Sequence, residues 1–200
     1  MGKRMFLIVL AAALLLPALA AAGLQAGEDT QTQATQTQAT QTQIQAQTAQ
    51  SAGIWFTGLF EEETFIPLSE IMEMEPRYVT VTMVGHSIGY AGRCTYKGAT
   101  LKDVMLAAGY TGTRGPDVGI EDMIRVIGSD GYGCVLSWTE VFDQDDSRNI
   151  IIAYEKDGKP LEEGEGPIRL VTANDRYVGR YIKDVVQVDA VTGYMLPPKE

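Results

Sequence analysis

The stretch IIIAYEKDGKPLEEGEGPIRLV, residues 150–171, does most to decide the fold. It begins with an apolar, β-branched run that is typical of a buried strand. Asp157-Gly158 then supplies the positive φ angles that a tight reversal needs. An acidic loop broken by glycines occupies residues 162–166, and residues 168–171 are predicted to form the next strand. The stretch therefore predicts two consecutive strands of one sheet.

Arg169 is the unusual residue of this stretch, because it places a guanidinium inside an otherwise apolar strand. Side chains alternate between the two faces of a strand, so Arg169 is predicted to point away from the side that Ile168 and Leu170 fill. Two interpretations follow. Either Arg169 lies on a solvated face, or it reaches into a site for an acid or a phosphate.

The N-terminal part of the chain differs in composition and is predicted to lie outside the folded domain. Lys3 and Arg4 precede an apolar run and an alanine-rich segment, which predicts a secretory signal peptide over residues 1–22. An uncleaved N-terminal anchor is the alternative. Residues 23–53 are rich in Gln, Thr and Ala, and they predict a disordered linker because they bury too little apolar surface to fold. We therefore expect an exported protein, periplasmic, cell-surface or secreted, with one domain over residues 54–200.

The chain is acidic. Without Lys3 and Arg4, 14 basic residues stand against 26 acidic ones, which gives a net charge of −12. Nucleic acids and anionic membrane surfaces repel such a protein, so neither is expected as a partner, and no membrane contact is expected after signal cleavage. The acidic residues are interpreted as a solvated surface that aids solubility.

Cys94 and Cys134 are the two cysteines of the chain. An even number of cysteines in an exported protein predicts a disulfide between them. Two buried, unpaired thiols are the alternative, because sequence does not show whether the two Cα atoms come within bridging distance.

The rest of the sequence predicts short helices among many strands. Apolar or alternating runs predict strands at residues 54–58, 64–66, 78–84, 123–127, 132–136 and 185–188. Three short helices are predicted from their capping residues, which are Ser69, Thr100 with Asp103, and Ser137 with Glu140. Since no βαβ alternation is sustained, the pattern predicts a mixed, β-rich α+β domain.

Classical metal or nucleophile motifs are weak in this chain. His86, the one histidine, lies in a predicted glycine-rich loop at 85–92 and has no partner at ligand spacing. The aspartates of 143–146 lack the glycine and the distal glutamate of a calcium loop. The glutamates of 162–165 are interpreted as a charged loop. None of these groups predicts a metal site.

Three cationic residues near the C-terminus are the stronger candidates for binding. If Arg169, Arg180 and Lys183 converge, they form a pocket for an anion in an otherwise acidic protein. The alternative is that each of them pairs with a nearby Asp or Glu.

Short motifs follow one another in a characteristic order between residues 54 and 190. In chain order they are YKGATLKDV at 96–104 with AG at 108–109, SDGY at 129–132, IAY at 152–154 with DG at 157–158 and PL at 160–161, GPIRLV at 166–171, and IK at 182–183. This series resembles the molybdopterin-binding domain of sulfite-oxidase-type oxidoreductases. The resemblance implies a mixed, β-rich α+β fold over residues 54–190 and a molybdopterin cofactor.

The resemblance also implies roles for the cationic residues. Arg169 and Lys183 match motif positions that contact the cofactor, and Arg180 lies near them. Molybdenum in the family is held by two pterin sulfurs and one protein cysteine thiolate. That cysteine is expected just after the strand at 78–84, where this chain has Gly85-His86-Ser87. The expected metal-ligating cysteine is therefore not found.

Two hypotheses about function remain open at this point, and with them the question of whether the chain is an enzyme. The first is an exported redox relative that binds a pterin or another small anionic ligand through Arg169, Arg180 and Lys183, with a protein redox partner. The second is a binding or interaction module that keeps the scaffold without a cofactor, with Cys94 and Cys134 bridged.

Overall fold

The computed structural model describes residues 52–85, 87, 89–142 and 149–193. The predictions made for the signal peptide, for residues 23–51 of the linker, for His86 and for the aspartates of 143–146 lie outside the described residues. Gly53, the last residue of the predicted linker, begins the first strand. Within the described ranges, no helix is both long enough and apolar enough to cross a bilayer.

Short strands dominate the fold. The strands are β1 Gly53–Gly58, β2 Thr64–Pro67, β3 Arg77–Gly85, β4 Gly89–Thr100, β5 Asp122–Gly128, β6 Gly133–Ser137, β7 Ile150–Lys156, β8 Lys159–Pro160, β9 Arg169–Thr172 and β10 Val185–Thr192. The α-helices are α1 Leu68–Glu73, α2 Leu101–Ala107 and α3 Trp138–Phe142, and 3₁₀ turns occupy Glu163–Glu165 and Val178–Arg180.

The strands form two five-stranded sheets. The first sheet has the order β2-β1-β10-β5-β6, and its β1 and β10 run parallel. The second sheet has the order β3-β4-β7-β8, with β9 also paired to β7, and all its pairs are antiparallel. The predicted β-rich, mixed α+β class is confirmed.

Most buried apolar side chains belong to one cluster, the main core, to which both sheets and all three α-helices contribute. Its fully buried members include Ile54, Phe56, Ile71, Leu101, Val104, Met105, Ile124, Val126, Leu136, Ile152, Leu170 and Val188. The burial of each such side chain contributes about 1.5–3 kcal/mol to folding.

A smaller cluster, the second core, lies on the opposite face of the second sheet. Its buried members are Val79, Val81, Cys94, Tyr96, Ile151, Ala153, Val171 and Tyr181. Because side chains alternate along a strand, β7 sends Ile152 to the main core and Ile151 to the second core. The second sheet is thus covered on both faces, which explains why every residue from Ile150 to Tyr154 is buried.

The predicted reversal after β7 is confirmed. Asp157 and Gly158 have φ values of 51° and 75°, and the chain returns as the short strand β8. The predicted orientation of Arg169 is confirmed as well, since Ile168 and Leu170 pack in the main core while Arg169 faces Tyr96 and Tyr181 of the second core. Arg169 is buried, so the interpretation as a solvated residue is wrong.

The structure corrects two predictions about local elements. The predicted loop at 85–92 is mostly hairpin, because β3 pairs with β4 as far as Gly85 and Gly89. Glycines in this segment interrupt the apolar–polar alternation that would indicate a strand. Ser69 does not cap α1, which begins at Leu68 after the extended Pro67 and has no side-chain cap.

The other two predicted caps are confirmed. The amide of Asp103 donates to Thr100 Oγ1 over 3.1 Å at the start of α2. Before α3, the amide of Ser137 donates to Glu140 Oε2 over 2.9 Å, and the amide of Glu140 donates to Ser137 Oγ over 3.3 Å. These are reciprocal capping-box contacts.

Candidate functional site

Arg169 lies at the centre of the candidate site. It begins β9, whose pairing with β7 places it opposite Ala153, and its side chain is 5% exposed. The guanidinium donates from Nη1 to Glu165, and Lys156 Nζ donates to the same carboxylate over 3.4 Å. One carboxylate therefore balances two cations in a largely buried setting.

Two tyrosine rings flank the guanidinium. Its central carbon lies 5.7 Å from the ring centroid of Tyr96 and 5.8 Å from that of Tyr181. Burial raises the pKa of Tyr96 well above its usual range and raises the pKa of Tyr181 to about 12, so both phenols are neutral. The rings provide cation–π contacts without adding charge.

Two buried polar atoms of this group have no hydrogen-bond partner among the described residues. They are Arg169 Nε and Glu165 Oε2. Buried polar groups are nearly always paired, because an unpaired one loses its hydration without compensation. The site therefore keeps one donor, Arg169 Nε, and one acceptor, Glu165 Oε2, unsatisfied.

Cys94 belongs to the same region. Its Sγ lies 3.5 Å from Met83 Sδ. The Tyr96 hydroxyl lies 3.9 Å from the same Met83 Sδ. Burial raises the pKa of the Cys94 thiol, although Tyr96 and Lys156 oppose the shift. Cys94 is thus a protonated thiol in the second core, joined to Arg169 through Tyr96.

Cys134 lies elsewhere. It is half-buried on β6 of the first sheet, packs against the main core, and its Sγ is 3.9 Å from the Arg180 carbonyl oxygen. Burial raises the pKa of its thiol to about 11. Both cysteines are free, so the predicted Cys94–Cys134 disulfide is corrected. The physical reason is that the two thiols belong to different sheets and pack into different cores.

Arg180 is the last residue of the 3₁₀ turn Val178–Arg180, and its guanidinium pairs with two acids. Its Nε and Nη2 donate to Asp175 over 2.8 and 2.6 Å, and its Nη1 donates to Glu140 over 2.8 Å. Hydrogen bonds from Arg180 hold the pKa of Asp175 below its usual range, while burial opposes them. At Glu140 burial acts to raise the pKa, but bonds from the Ser137 amide and Arg180 outweigh it and lower the pKa.

Lys183 is exposed, and its Nζ donates to the Gly164 carbonyl over 3.3 Å. In the described contacts, no acceptor is shared by any two of Arg169, Arg180 and Lys183. Arg169 and Arg180 each pair with acids of the chain, as the alternative interpretation predicted. Binding of an anion by the three residues stays a prediction.

Sequence reasoning missed four members of the site, which are Lys156, Tyr96, Tyr181 and Glu165. The spacing of Glu165 and Arg169, four residues apart, was the available signal, but in a glycine-containing loop that spacing does not imply contact. Within the described ranges, no group of three or more His, Cys, Asp or Glu side chains is arranged to hold a metal ion.

Comparison with known proteins agrees with this architecture. A solved structure, the sulfane dehydrogenase SoxCD from Paracoccus pantotrophus, superposes with a TM-score of 0.57 at 16% sequence identity. The match covers 72% of this chain and 39% of the SoxCD chain, and at this identity it concerns the fold alone. No curated protein sequence matches the chain significantly.

The family model described as "Oxidoreductase molybdopterin binding domain" matches residues 43–193. Those residues include both sheets, the Arg169 site and the Arg180 contacts. Proteins of this family typically bind molybdopterin. The match spans most of the sequence, and the chain belongs to the oxidoreductase molybdopterin-binding domain family.

Proposed function

We propose that this chain is an exported family member that uses the scaffold as a binding or interaction module, without molybdenum redox chemistry. One observation carries the proposal. The two arginines expected to contact an anionic cofactor are already paired with carboxylates of the chain, Arg169 with Glu165 and Arg180 with Asp175 and Glu140. An anion that binds the arginine nitrogens already used in these pairs would have to displace the carboxylates.

The cysteines support the same proposal. A molybdenum centre of this family needs a protein thiolate at an accessible position. Cys94 lies inside β4, in register with Val81, and burial keeps its thiol protonated. Cys134 lies on β6 of the first sheet, where its thiol donates to the Arg180 carbonyl over 3.9 Å and burial raises its pKa to about 11. Neither residue fits a metal-ligating thiolate.

Export is supported by the signal-peptide pattern of residues 1–22. In this reading the Gln/Thr-rich segment at 23–53 separates the domain from the cleavage site. The expected location is extracytoplasmic. Mass spectrometry of the protein recovered outside the cytoplasm should give a mature N-terminus near residue 23, and a full-length chain in the membrane fraction would contradict cleavage.

A second candidate function is an exported redox relative that binds a pterin or another small anionic ligand through Arg169, Arg180 and Lys183. Arg169 Nε and Glu165 Oε2 favour it, because both atoms are buried and unpartnered at a motif position of the family. A pterin ring offers both acceptors and donors, which matches this pair of atoms.

Metal analysis and an absorbance spectrum of the exported protein, purified from a host that makes the molybdenum cofactor, separate the two candidates. We expect far less than one molybdenum per chain and no visible absorbance. Stoichiometric molybdenum with a released pterin would overturn the proposal. If metal is found, Cys94→Ser tests ligation directly, with Cys134→Ser as the matched control.

A further inference from the structure

We infer that Glu165 is an internal counter-ion that closes an oxyanion site at Arg169, and that removing its carboxylate opens this site to a small tetrahedral oxyanion such as inorganic phosphate or sulfate. The inference rests on the proposed function and describes the chemistry of the same site.

The cations already converge on one oxygen. Arg169 Nη1 and Lys156 Nζ both donate to Glu165 Oε1, and the exposed fractions of the three side chains are 5%, 24% and 11% in the order Arg169, Lys156, Glu165. Without the carboxylate, two positive charges would face each other in a poorly hydrated space. That arrangement strongly favours an external anion.

The arginine is also oriented for an oxyanion. The rings of Tyr96 and Tyr181 cover the guanidinium, and its Nε is a buried donor with no partner among the described residues. Nε and an Nη nitrogen together form the planar fork that recognises carboxylate, phosphate or sulfate in a bidentate manner. Glu165 accepts from Arg169 Nη1 and not from Nε.

The backbone at Glu165 is held independently of its carboxylate. Its amide donates to the Glu162 carbonyl over 2.8 Å, and its carbonyl accepts from the Asp184 amide over 3.0 Å. Gly166 follows with φ 74°, and a Cβ there would approach Asp184 Cβ to 2.4 Å. Shortening the Glu165 side chain should therefore leave the loop in place and make room beside the two cations.

The test compares Glu165→Ala with the wild type and with Glu163→Ala, which removes an exposed carboxylate from the same 3₁₀ turn. The thermal unfolding midpoint is measured against inorganic phosphate at constant ionic strength, and binding is measured by calorimetry. We expect a saturable rise in the midpoint of Glu165→Ala at millimolar phosphate. Its affinity should be at least tenfold higher than that of the wild type and of the control. Sulfate in place of phosphate reveals whether a protonated oxygen is needed.

Two further variants keep the test decisive. Glu165→Ser also removes the carboxylate and shortens the side chain, and it should show phosphate-dependent stabilisation even if Glu165→Ala folds poorly. Adding Arg169→Met to either variant should abolish the phosphate effect. The inference is overturned if the wild type binds phosphate as tightly as the variants, if the effect survives Arg169→Met, or if neither variant responds. Stoichiometric molybdenum in the wild type would instead overturn the proposed function.

Discussion

Arg169 and Arg180 make the same kind of ion pair in opposite surroundings. Arg169 is 5% exposed, shares its one carboxylate with Lys156 and leaves Nε without a partner among the described residues. Arg180 is 34% exposed and uses Nε and both terminal nitrogens on two carboxylates. Each guanidinium nitrogen of the partly exposed Arg180 has a partner, whereas Nε of the buried Arg169 has none among the described residues.

This difference indicates which region is suited to a ligand. A surface bridge with two acids and one cation is already neutralised and gains little from further anions. A buried group with two cations and one acid retains positive charge in a poorly hydrated space, where an additional interaction has a larger effect. We therefore expect a change in the surrounding charge to have a larger effect at Arg169 than at Arg180.

The largest expected effect comes from breaking the buried pair. Arg169→Met keeps the length of the side chain but leaves Glu165 buried without its arginine, which should lower the free energy of unfolding by about 3–5 kcal/mol. Urea denaturation of the purified variant measures this loss. Replacing both residues, with Arg169→Met and Glu165→Leu together, should restore most of it. A loss below about 1 kcal/mol for the single variant would contradict the burial argument.

A smaller loss is expected at the second arginine. Arg180→Met removes charge-assisted bonds to Asp175 and Glu140, but both carboxylates remain accessible to water and can be rehydrated. The free energy of unfolding should fall by about 1–2 kcal/mol, and by less at high salt. If urea denaturation gives a loss as large as that of Arg169→Met, the contrast between the two regions fails.

The Arg180 bridge should also make stability depend on pH. The pKa values of Asp175 and Glu140 are lower in the folded protein than their usual values, so the unfolded chain binds more protons in acid. The stabilisation is present above the unfolded pKa values, about 4, and is lost as pH falls through the folded ones. Unfolding curves from pH 6 to pH 2 should show a shallower acid loss in Arg180→Met than in the wild type. Identical slopes would argue against the bridge.

The smallest effect is expected at Lys183. Its single bond to the Gly164 carbonyl is exposed, so Lys183→Ala should change the free energy of unfolding by less than about 0.5 kcal/mol. The same denaturation assay measures it. A loss of unfolding free energy as large as that of Arg180→Met would mean that Lys183 makes a stronger interaction than its bond to the Gly164 carbonyl.

Much of the fold could be predicted from local patterns. The apolar run of β7, the Asp157-Gly158 reversal and the cap at Thr100 act over a few neighbouring residues, and each is confirmed. β4 was missed because Gly89, Gly92 and Gly98 weaken its alternation, and its strand character depends on pairing with β3 and β7. Strand pairing over such distances is not encoded in local periodicity.

The sequence by itself determined the β-rich class, the family resemblance and the face of β9 on which Arg169 lies, since alternation along a strand needs no knowledge of the partners. Only the tertiary structure decided what Arg169 meets there. Lys156 and Tyr96 come from separate strands, and Tyr181 follows a 3₁₀ turn. Glu165 reaches the guanidinium from a loop that the Asp184 amide holds. Charge balance in a buried space depends on which distant residues fold together, and local sequence does not contain that information.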